Sequence, residues 1–291
     1  MLTEAYMDTY QILFNPLAGG KNGEAAAHAL DGLLAGNTLI YRDASLMASF
    51  ADVFAFLGRD EKLVICGGDG TLHRFVNDMA GVTFENDVYL YGTGTGNDFL
   101  FDIGKKPEDG LVRINDYIKD LPRVTVNGVT KLFINGVGFG IDGYCCEEGD
   151  RQRAAGVGRV NYTSIAIKGL LGKFRPVNAR VTVDGVTREY KKVWLAPTMN
   201  GRCYGGGMLA CPAQNRLNRE HTVSTLVYHG IGALRALIIF PSIFKGEHVK
   251  HKKACTVTEG HRVSVEFDRP TALQIDGETV TGVTKYEVET V

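Results

Sequence analysis

The string Gly-Gly-Asp-Gly-Thr at residues 67–71 restricts the fold more than any other stretch of this chain, because of what flanks it. The preceding run Lys62-Leu63-Val64-Ile65-Cys66 is short and apolar, as in a strand buried on both faces. The following residues place Leu72, Phe75, Val76 and Met79 at i, i+3, i+4 and i+7, the stripe of an amphipathic helix. Gly81 stands where a helix would be capped. A strand, a glycine turn and a helix N-terminus together aim backbone N–H groups and the positive end of a helix dipole at an anion. An acid in such a cradle calls for a cation or a proton transfer. Asp69 is therefore the first candidate for chemistry.

Short strands and helical segments alternate over the first 120 residues. Strands are predicted at 10–14, 38–41, 63–66 and 88–91, and helices at 24–34, 45–57 and from Leu72 onward. That alternation predicts a parallel sheet with helices on both faces, whose ligands bind beyond the carboxyl ends of the strands. Three glycine-containing turns follow three of these strands: Asn-Pro-Leu-Ala-Gly-Gly-Lys at 15–21, the 67–71 string, and Gly-Thr-Gly-Thr-Gly-Asn-Asp at 92–98. Their convergence on one sheet edge predicts a nucleotide site.

From about Val124 the pattern changes to period-two runs at 180–183, 190–195, 223–228, 263–267, 272–275 and 286–288, with an Asp-Gly turn at 184–185. This predicts a second, antiparallel and largely β domain, interrupted by helical segments near 160–171 and 231–244. The expected division is 1–126 and 127–291.

Composition removes several alternatives. Lys plus Arg number 32 and Asp plus Glu 33, so no electrostatic nucleic-acid binder is indicated. The 36 glycines cluster in turns, and the 8 prolines are too few for a disordered chain. Six cysteines form no Cys-x-x-Cys pair, which suits free thiols in a reducing, cytoplasmic setting. The first ten residues lack the features of a secretory signal, and no run of 18 apolar residues predicts a transmembrane segment. The most apolar stretch, 231–244, is read as a partly buried helix in preference to one lying on a membrane.

The motifs, taken in order, resemble the diacylglycerol-kinase-type lipid kinases, which include bacterial lipid kinases and sphingosine kinases. The series runs from Asn15-Pro16 through the 67–72 string, Asn77, Gly-Thr-Gly-Asn-Asp-Phe at 94–99 and Asn-Gly-Val-Gly-Phe-Gly-Ile-Asp at 135–142. It continues with Asn200-Gly201, Tyr-Gly-Gly-Gly-Met at 204–208, Lys-Gly-Glu-His at 245–248 and Asp276-Gly277-Glu278. The resemblance implies an α/β ATP-binding domain, a β-sandwich domain for the acceptor, and an active site in the cleft between them. It also implies ATP-dependent phosphorylation of a hydroxyl on a diacylglycerol-like lipid, with Mg²⁺.

Carried residue by residue, the resemblance assigns Asn15, Pro16, Gly19, Gly20, Lys21, Gly67, Gly68, Asp69, Gly70, Thr71 and Thr95 to the nucleotide. Asp69, Asp98 and Asp142 fall to the metal, mainly through water. Glu278 is the leading base for the acceptor hydroxyl, with Asp276 its close competitor and Asp69 in play. Asp69→Ala is expected to abolish transfer and leave the fold intact. The partners expected are a lipid substrate at a membrane surface and, as an option, a second copy in a homodimer. Peripheral membrane association is a further option.

Some positions depart from the pattern. Where many bacterial relatives carry an acidic turn for a structural Mg²⁺, residues 215–220 read Asn-Arg-Leu-Asn-Arg-Glu, so a metal at Asn218 and Glu220 is expected to be weak or absent. Tyr91-Gly92-Thr93 stands where a proline is frequent, and the C-terminal segment is expected to be truncated. Two other functions stay open: an NAD-kinase-type small-molecule kinase, and a divergent nucleotide-binding protein without catalysis.

Overall fold

Two sheets organise the structure, a computed structural model that describes residues 7–16, 22–94, 96–157 and 160–291. They belong to two units, Met1–Lys119 and Asp120–Val291. In the first, β1 (Thr9–Phe14), β2 (Thr38–Asp43), β3 (Lys62–Gly67), β4 (Val88–Gly92) and β5 (Leu111–Arg113) lie in the order β2-β1-β3-β4-β5. The first four are parallel, and β5 runs antiparallel to β4. The chain steps outward from β1 to β2 and returns on the other side of β1 as β3. The switch point therefore falls between β1 and β3, with the loops after both strands flanking it.

The helices of this unit are short: α1 (Gly23–Ala27), α2 (Leu30–Leu33), α3 (Asp69–Asp78) and α4 (Asp98–Asp102). Ala27 and Leu30 pack with Ile12, Val64 and Cys66 on one face of the sheet. Leu13, Leu63 and Ile65, equally buried, alternate with those residues and point to the opposite face.

The helix expected over 24–34 is broken between α1 and α2. His28, at the break, stacks its ring on Tyr41 of β2 at 4.1 Å, and Tyr41 donates its hydroxyl to Asp31 at 2.7 Å. The helix expected over 45–57 is two 3₁₀ turns, Ala44–Leu46 and Phe50–Ala55. The Arg74 guanidinium from α3 takes the carbonyls of Ala44 (3.0 Å) and Met47 (2.7 Å), while Asp78 accepts the Phe50 N–H (2.9 Å). Backbone groups that a helix would have used internally are thus tied to a neighbouring element.

The second unit contains β6 (Arg123–Val126), β7 (Val129–Leu132), β8 (Gly136–Gly140), β9 (Val177–Val183), β10 (Val186–Val193), β11 (Leu195–Met199), β12 (Val223–Tyr228), β13 (Cys255–Gly260), β14 (Arg262–Ile275) and β15 (Glu278–Glu289). Its path is β13-β12-β11-β8-β14-β15-β6-β7, with β9 joined to β14 and β10 to β9, and every pairing is antiparallel. The helices here are α5 (Ile141–Ala154), α6 (Tyr162–Lys168), continued by a π-turn at Gly169–Lys173, and α7 (Ala233–Ile239).

The runs at 263–267 and 272–275 are one strand, β14. Its first half pairs with β9 and its second with β8, and its register against β15 breaks between Glu266 and Leu273. Pro270 sits at the break, where a missing N–H removes no ladder bond. This bent strand lets the sheet close over itself as a sandwich, with Val181, Val265, Phe139, Leu273 and Tyr286 in one core. Asp184-Gly185 and Asp276-Gly277 each join two antiparallel neighbours, with aspartate and glycine both at positive φ.

Candidate active site

In the first unit the loops after β3 and β4 are fastened to each other. The Thr93 N–H donates to Gly67 O at 3.1 Å, and the Asp69 N–H donates to Gly96 O at 3.0 Å. A Cβ on Gly94 would lie 2.7 Å from the Gly68 backbone, and one on Gly68 would lie 2.4 Å from Gly96 O. The backbones approach so closely that only glycine fits. Gly67 faces Thr71 instead, since a Cβ there would lie 2.3 Å from the Thr71 hydroxyl oxygen. The steric demand at Gly67 and Gly68 therefore comes from the protein itself. Gly70 differs: it is exposed, and an added Cβ meets nothing within 4 Å.

Asp69 opens α3, and its carboxylate accepts the N–H groups of Asp98 (Oδ2, 2.8 Å) and Phe99 (Oδ1, 2.9 Å) at the start of α4. It thereby serves as a cap for a helix 29 residues further along the chain. This is a second role beside the chemical one, and it bears on the expectation that Asp69→Ala leaves the fold intact. Asp98 is buried as the first residue of α4, so the two acids of the first unit stand together. Asn97 closes the second loop with its Nδ2 on Gly94 O at 2.9 Å.

Around the first turn of α3, the Thr71 and Leu72 N–H groups both go to Gly68 O at 3.1 Å. With the Asp69 N–H on Gly96, the Gly70 N–H alone in this turn has no acceptor among the described residues. Asn15 and Pro16 follow β1, and Gly23 of α1 packs so tightly on the Asn15 carbonyl that a Cβ would overlap it. Gly19, Gly20, Lys21 and Thr95 lie outside the described residues.

In the second unit, Asp276 occupies the left-handed turn position between β14 and β15 with φ 47°. Its carboxylate accepts three backbone N–H groups, from Ile134 (2.7 Å), Asn135 (2.8 Å) and Gly136 (3.0 Å). Glu278, two residues on, has its side chain about half exposed at 49% and takes Lys131 Nζ at 2.9 Å. Of the two rival bases, Asp276 is thus a backbone clamp and Glu278 is on the surface.

Arg216, which sequence reasoning treated only as part of an altered turn, belongs to the same network. Its guanidinium donates to Ile134 O at 3.2 Å and Asn135 Oδ1 at 3.0 Å, and Asn200 Nδ2 also donates to Ile134 O at 3.0 Å. The turn itself is closed by its own bonds, Leu217 N–H to Asn215 Oδ1 at 3.1 Å and Thr222 N–H to Asn218 Oδ1 at 2.9 Å.

Asp142 is buried at the N-terminus of α5. Burial pushes its carboxyl up to about 7, against the Gly143 N–H (2.9 Å) and the Tyr204 hydroxyl (3.3 Å), which favour the charged form. Tyr204 is the first residue of the Tyr-Gly-Gly-Gly-Met motif. Gly205, Gly206 and Gly207 all have positive φ, as the tight Tyr204–Met208 bridge requires. His248 of the Lys-Gly-Glu-His motif is buried with Nε2 3.0 Å from Ala210 O. Through Tyr204 and His248 both motifs are built into the interior of the second unit.

No group of three or more His, Cys, Asp or Glu is placed to hold a metal among the described residues. Asp69 and Asp98 fit Mg²⁺ in the manner usual for nucleotide sites, where one or two carboxylates act with phosphate oxygens and water. A carboxylate oxygen that accepts a backbone N–H, as both Asp69 oxygens do, can accept more than one bond.

Residues 9–124 match the diacylglycerol kinase catalytic domain, and residues 135–289 match the YegS C-terminal NAD kinase beta sandwich-like domain. The chain belongs to the diacylglycerol kinase catalytic-domain family. It is 30% identical over 216 residues to a diacylglycerol kinase of Mycobacterium tuberculosis (strain ATCC 25618 / H37Rv), a match covering 71% of this chain and 67% of that one. It is 24% identical over 237 residues to a diacylglycerol kinase of Bacillus subtilis (strain 168), covering 79% and 75%. A solved structure of a diacylglycerol kinase from Bacillus anthracis str. Sterne superposes with a TM-score of 0.60 at 16% identity, over 99% of this chain and 94% of that one. At that identity the likeness speaks for the fold. No helix among the described residues of this family member is long and apolar enough to cross a membrane.

Proposed function

We propose that this protein transfers the terminal phosphoryl group of ATP to a hydroxyl of a diacylglycerol-like lipid. One observation carries the reading. Asp69 fastens two glycine loops together so that the first turn of α3 presents the Gly70 N–H, with no acceptor among the described residues, beside open space. Such a turn suits a phosphate oxygen, since the donor and the helix dipole act in the same direction. The names of the Mycobacterium and Bacillus relatives support the choice of acceptor.

In this reading the Gly70 N–H and the Thr71 hydroxyl hold phosphate oxygens. Asn15, Pro16, Gly19, Gly20, Lys21 and Thr95 complete the nucleotide site. Asp69 and Asp98 would hold Mg²⁺, which when bound neutralises charge on the phosphates. Asp142 is assigned to the metal on the family resemblance. Glu278 takes the proton of the acceptor hydroxyl as its oxygen bonds to phosphorus and the bond to the ADP oxygen breaks. Its side chain is about half exposed and takes the Lys131 ammonium, whereas the Asp276 carboxylate is held by three backbone N–H groups.

The test is incubation with labelled ATP, Mg²⁺ and either a diacylglycerol dispersion, a total lipid extract or NAD. A labelled phospholipid is expected. Label in the NAD arm alone would replace the reading with a dinucleotide kinase. ATP binding with no product in any arm would leave a non-catalytic nucleotide-binding protein.

A further inference from the structure

Near its end β14 turns alternate side chains into the sandwich core. Leu273 and Ile275 lie there, so Gln274 between them points to the other face. Gly138 of β8 and Thr279 of β15 both pair with Gln274 and share that face. It is covered by α5, which lies so close that a Cβ on Gly143 would overlap the Ala272 carbonyl. The Asp142 carboxylate fills the room over Gly138, where a Cβ would lie 2.5 Å from Oδ2. Gln274 is only 2% exposed as a result.

A carboxamide buried in this way needs partners at both ends. Its Oε1 accepts the Gly277 N–H at 2.8 Å. That bond fixes the orientation of the amide, since a flipped group would set NH₂ against N–H. The Nε2 end has no hydrogen-bond acceptor among the described residues, although the amide is near enough to Asp142 to favour its charged form. A methionine of similar volume would fill the space without an orphaned nitrogen. Gly277 is exposed, so water could take its N–H. Stability alone therefore gives no reason for a glutamine here. What it adds is a fixed backbone.

On the far side of Glu278, Thr279 Oγ1 donates to Asp150 Oδ2 of α5 at 2.6 Å. Asp276 is held by its three N–H groups. Asp276, Gly277 and Thr279 are thus all fastened, while the Glu278 side chain is about half exposed.

We infer that Gln274 is a positioning residue for the phosphoryl transfer: it holds the Gly277 backbone and thereby the point from which Glu278 reaches the acceptor hydroxyl. The inference deepens the kinase reading and rests on its assignment of Glu278 as the base. A misplacement of about 1 Å costs roughly 10²-fold in rate, so a rigid attachment on a surface turn affects turnover far more than stability.

The test compares wild type with Gln274→Met, Glu278→Gln and the double variant, each as the full chain with ATP, Mg²⁺ and a diacylglycerol dispersion. Gln274→Met keeps the volume and removes the acceptor. Its kcat should fall roughly 10–100-fold, with KM for ATP and melting temperature unchanged. In the Glu278→Gln background the same substitution should lower kcat no further, because no base is left to position. Amide hydrogen exchange at Gly277, read by NMR without substrate, should quicken in Gln274→Met.

Wild-type kcat in Gln274→Met, a double variant that shows the product of the two single losses, or unchanged exchange at Gly277 each overturns the inference. A kcat loss that comes with a lowered melting temperature assigns Gln274 to stability and also overturns it. If wild type phosphorylates no acceptor, the kinase reading fails. Quicker exchange at Gly277 in Gln274→Met then still supports the hold on the turn, and unchanged exchange overturns it.

Discussion

Two aspartates that sequence reasoning placed in the chemistry also spend their carboxylates on the backbone. Asp69 binds two N–H groups of α4, and Asp276 binds three in the bend that leads into β8. Asp69→Asn offers one acceptor oxygen and an amide in place of two acceptor oxygens, so an N–H faces a donor. A stability loss of about 1–3 kcal/mol is expected along with lost activity, visible as a lowered melting temperature. Glu278→Gln should behave in the opposite way. Turnover is expected to fall roughly 10²–10⁴-fold with melting temperature and ATP affinity unchanged, because an exposed ion pair contributes little to stability. Unchanged turnover would transfer the base role elsewhere.

Asp142 carries a pH dependence of known sign. Its carboxyl is raised by burial from 3.8 to about 7, so the folded state holds a proton that the unfolded state releases. Its contribution to stability is present below about pH 4 and is lost as pH rises toward 7, by an amount on the order of 4 kcal/mol. In metal-free buffer Asp142→Asn should flatten the melting-temperature profile between pH 5 and pH 8, most visibly by stabilising the alkaline end. A variant whose profile parallels wild type would contradict this.

At the scale of elements, the loops after β3 and β4 separate structural glycines from an available one. Gly94→Ala forces a Cβ to within 2.7 Å of the Gly68 backbone and is expected to unfold the loop pair or abolish expression. Gly70→Ala places its Cβ in open space within a helix, where alanine is favoured over glycine by up to about 1 kcal/mol. It should melt no lower than wild type while its KM for ATP rises, because the methyl group enters the space assigned to phosphate. Calorimetry and steady-state kinetics on the pair distinguish a packing role from a ligand role. The broken helices of the first unit belong to this scale too. Residues 45–57 carry a helical pattern, but Arg74 and Asp78 of α3 remove three backbone groups that the helix would need. Nothing within those thirteen positions announces that competition.

For the whole molecule, the six cysteines report on integrity. None is paired, and all but Cys146 are buried. Burial pushes the thiols of Cys66, Cys146 and Cys255 up to about 12. The native protein should react slowly with a thiol reagent at pH 8, and six thiols should appear together on denaturation. Rapid native labelling would mean that the structure opens.

The architecture was legible from the chain because its signals are local: apolar runs of strand length, a helical stripe after the glycine string, Asp-Gly hairpins, a motif series in fixed order. Fold class and family both follow from patterns that a residue shares with near neighbours. The assignment of individual acids was not legible, because it depends on partners far away in sequence. Asp276 finds its N–H donors 140 to 142 residues away, and Arg216 finds Ile134 at a separation of 82. A carboxylate in a glycine turn reads the same whether it binds a metal, a proton or the backbone. The sequence by itself determined the two-unit plan and the glycine turns that follow β3 and β4. Tertiary structure alone decided which acids are fastened and which remains exposed, since hydrogen bonds between distant segments exist only after the chain has packed.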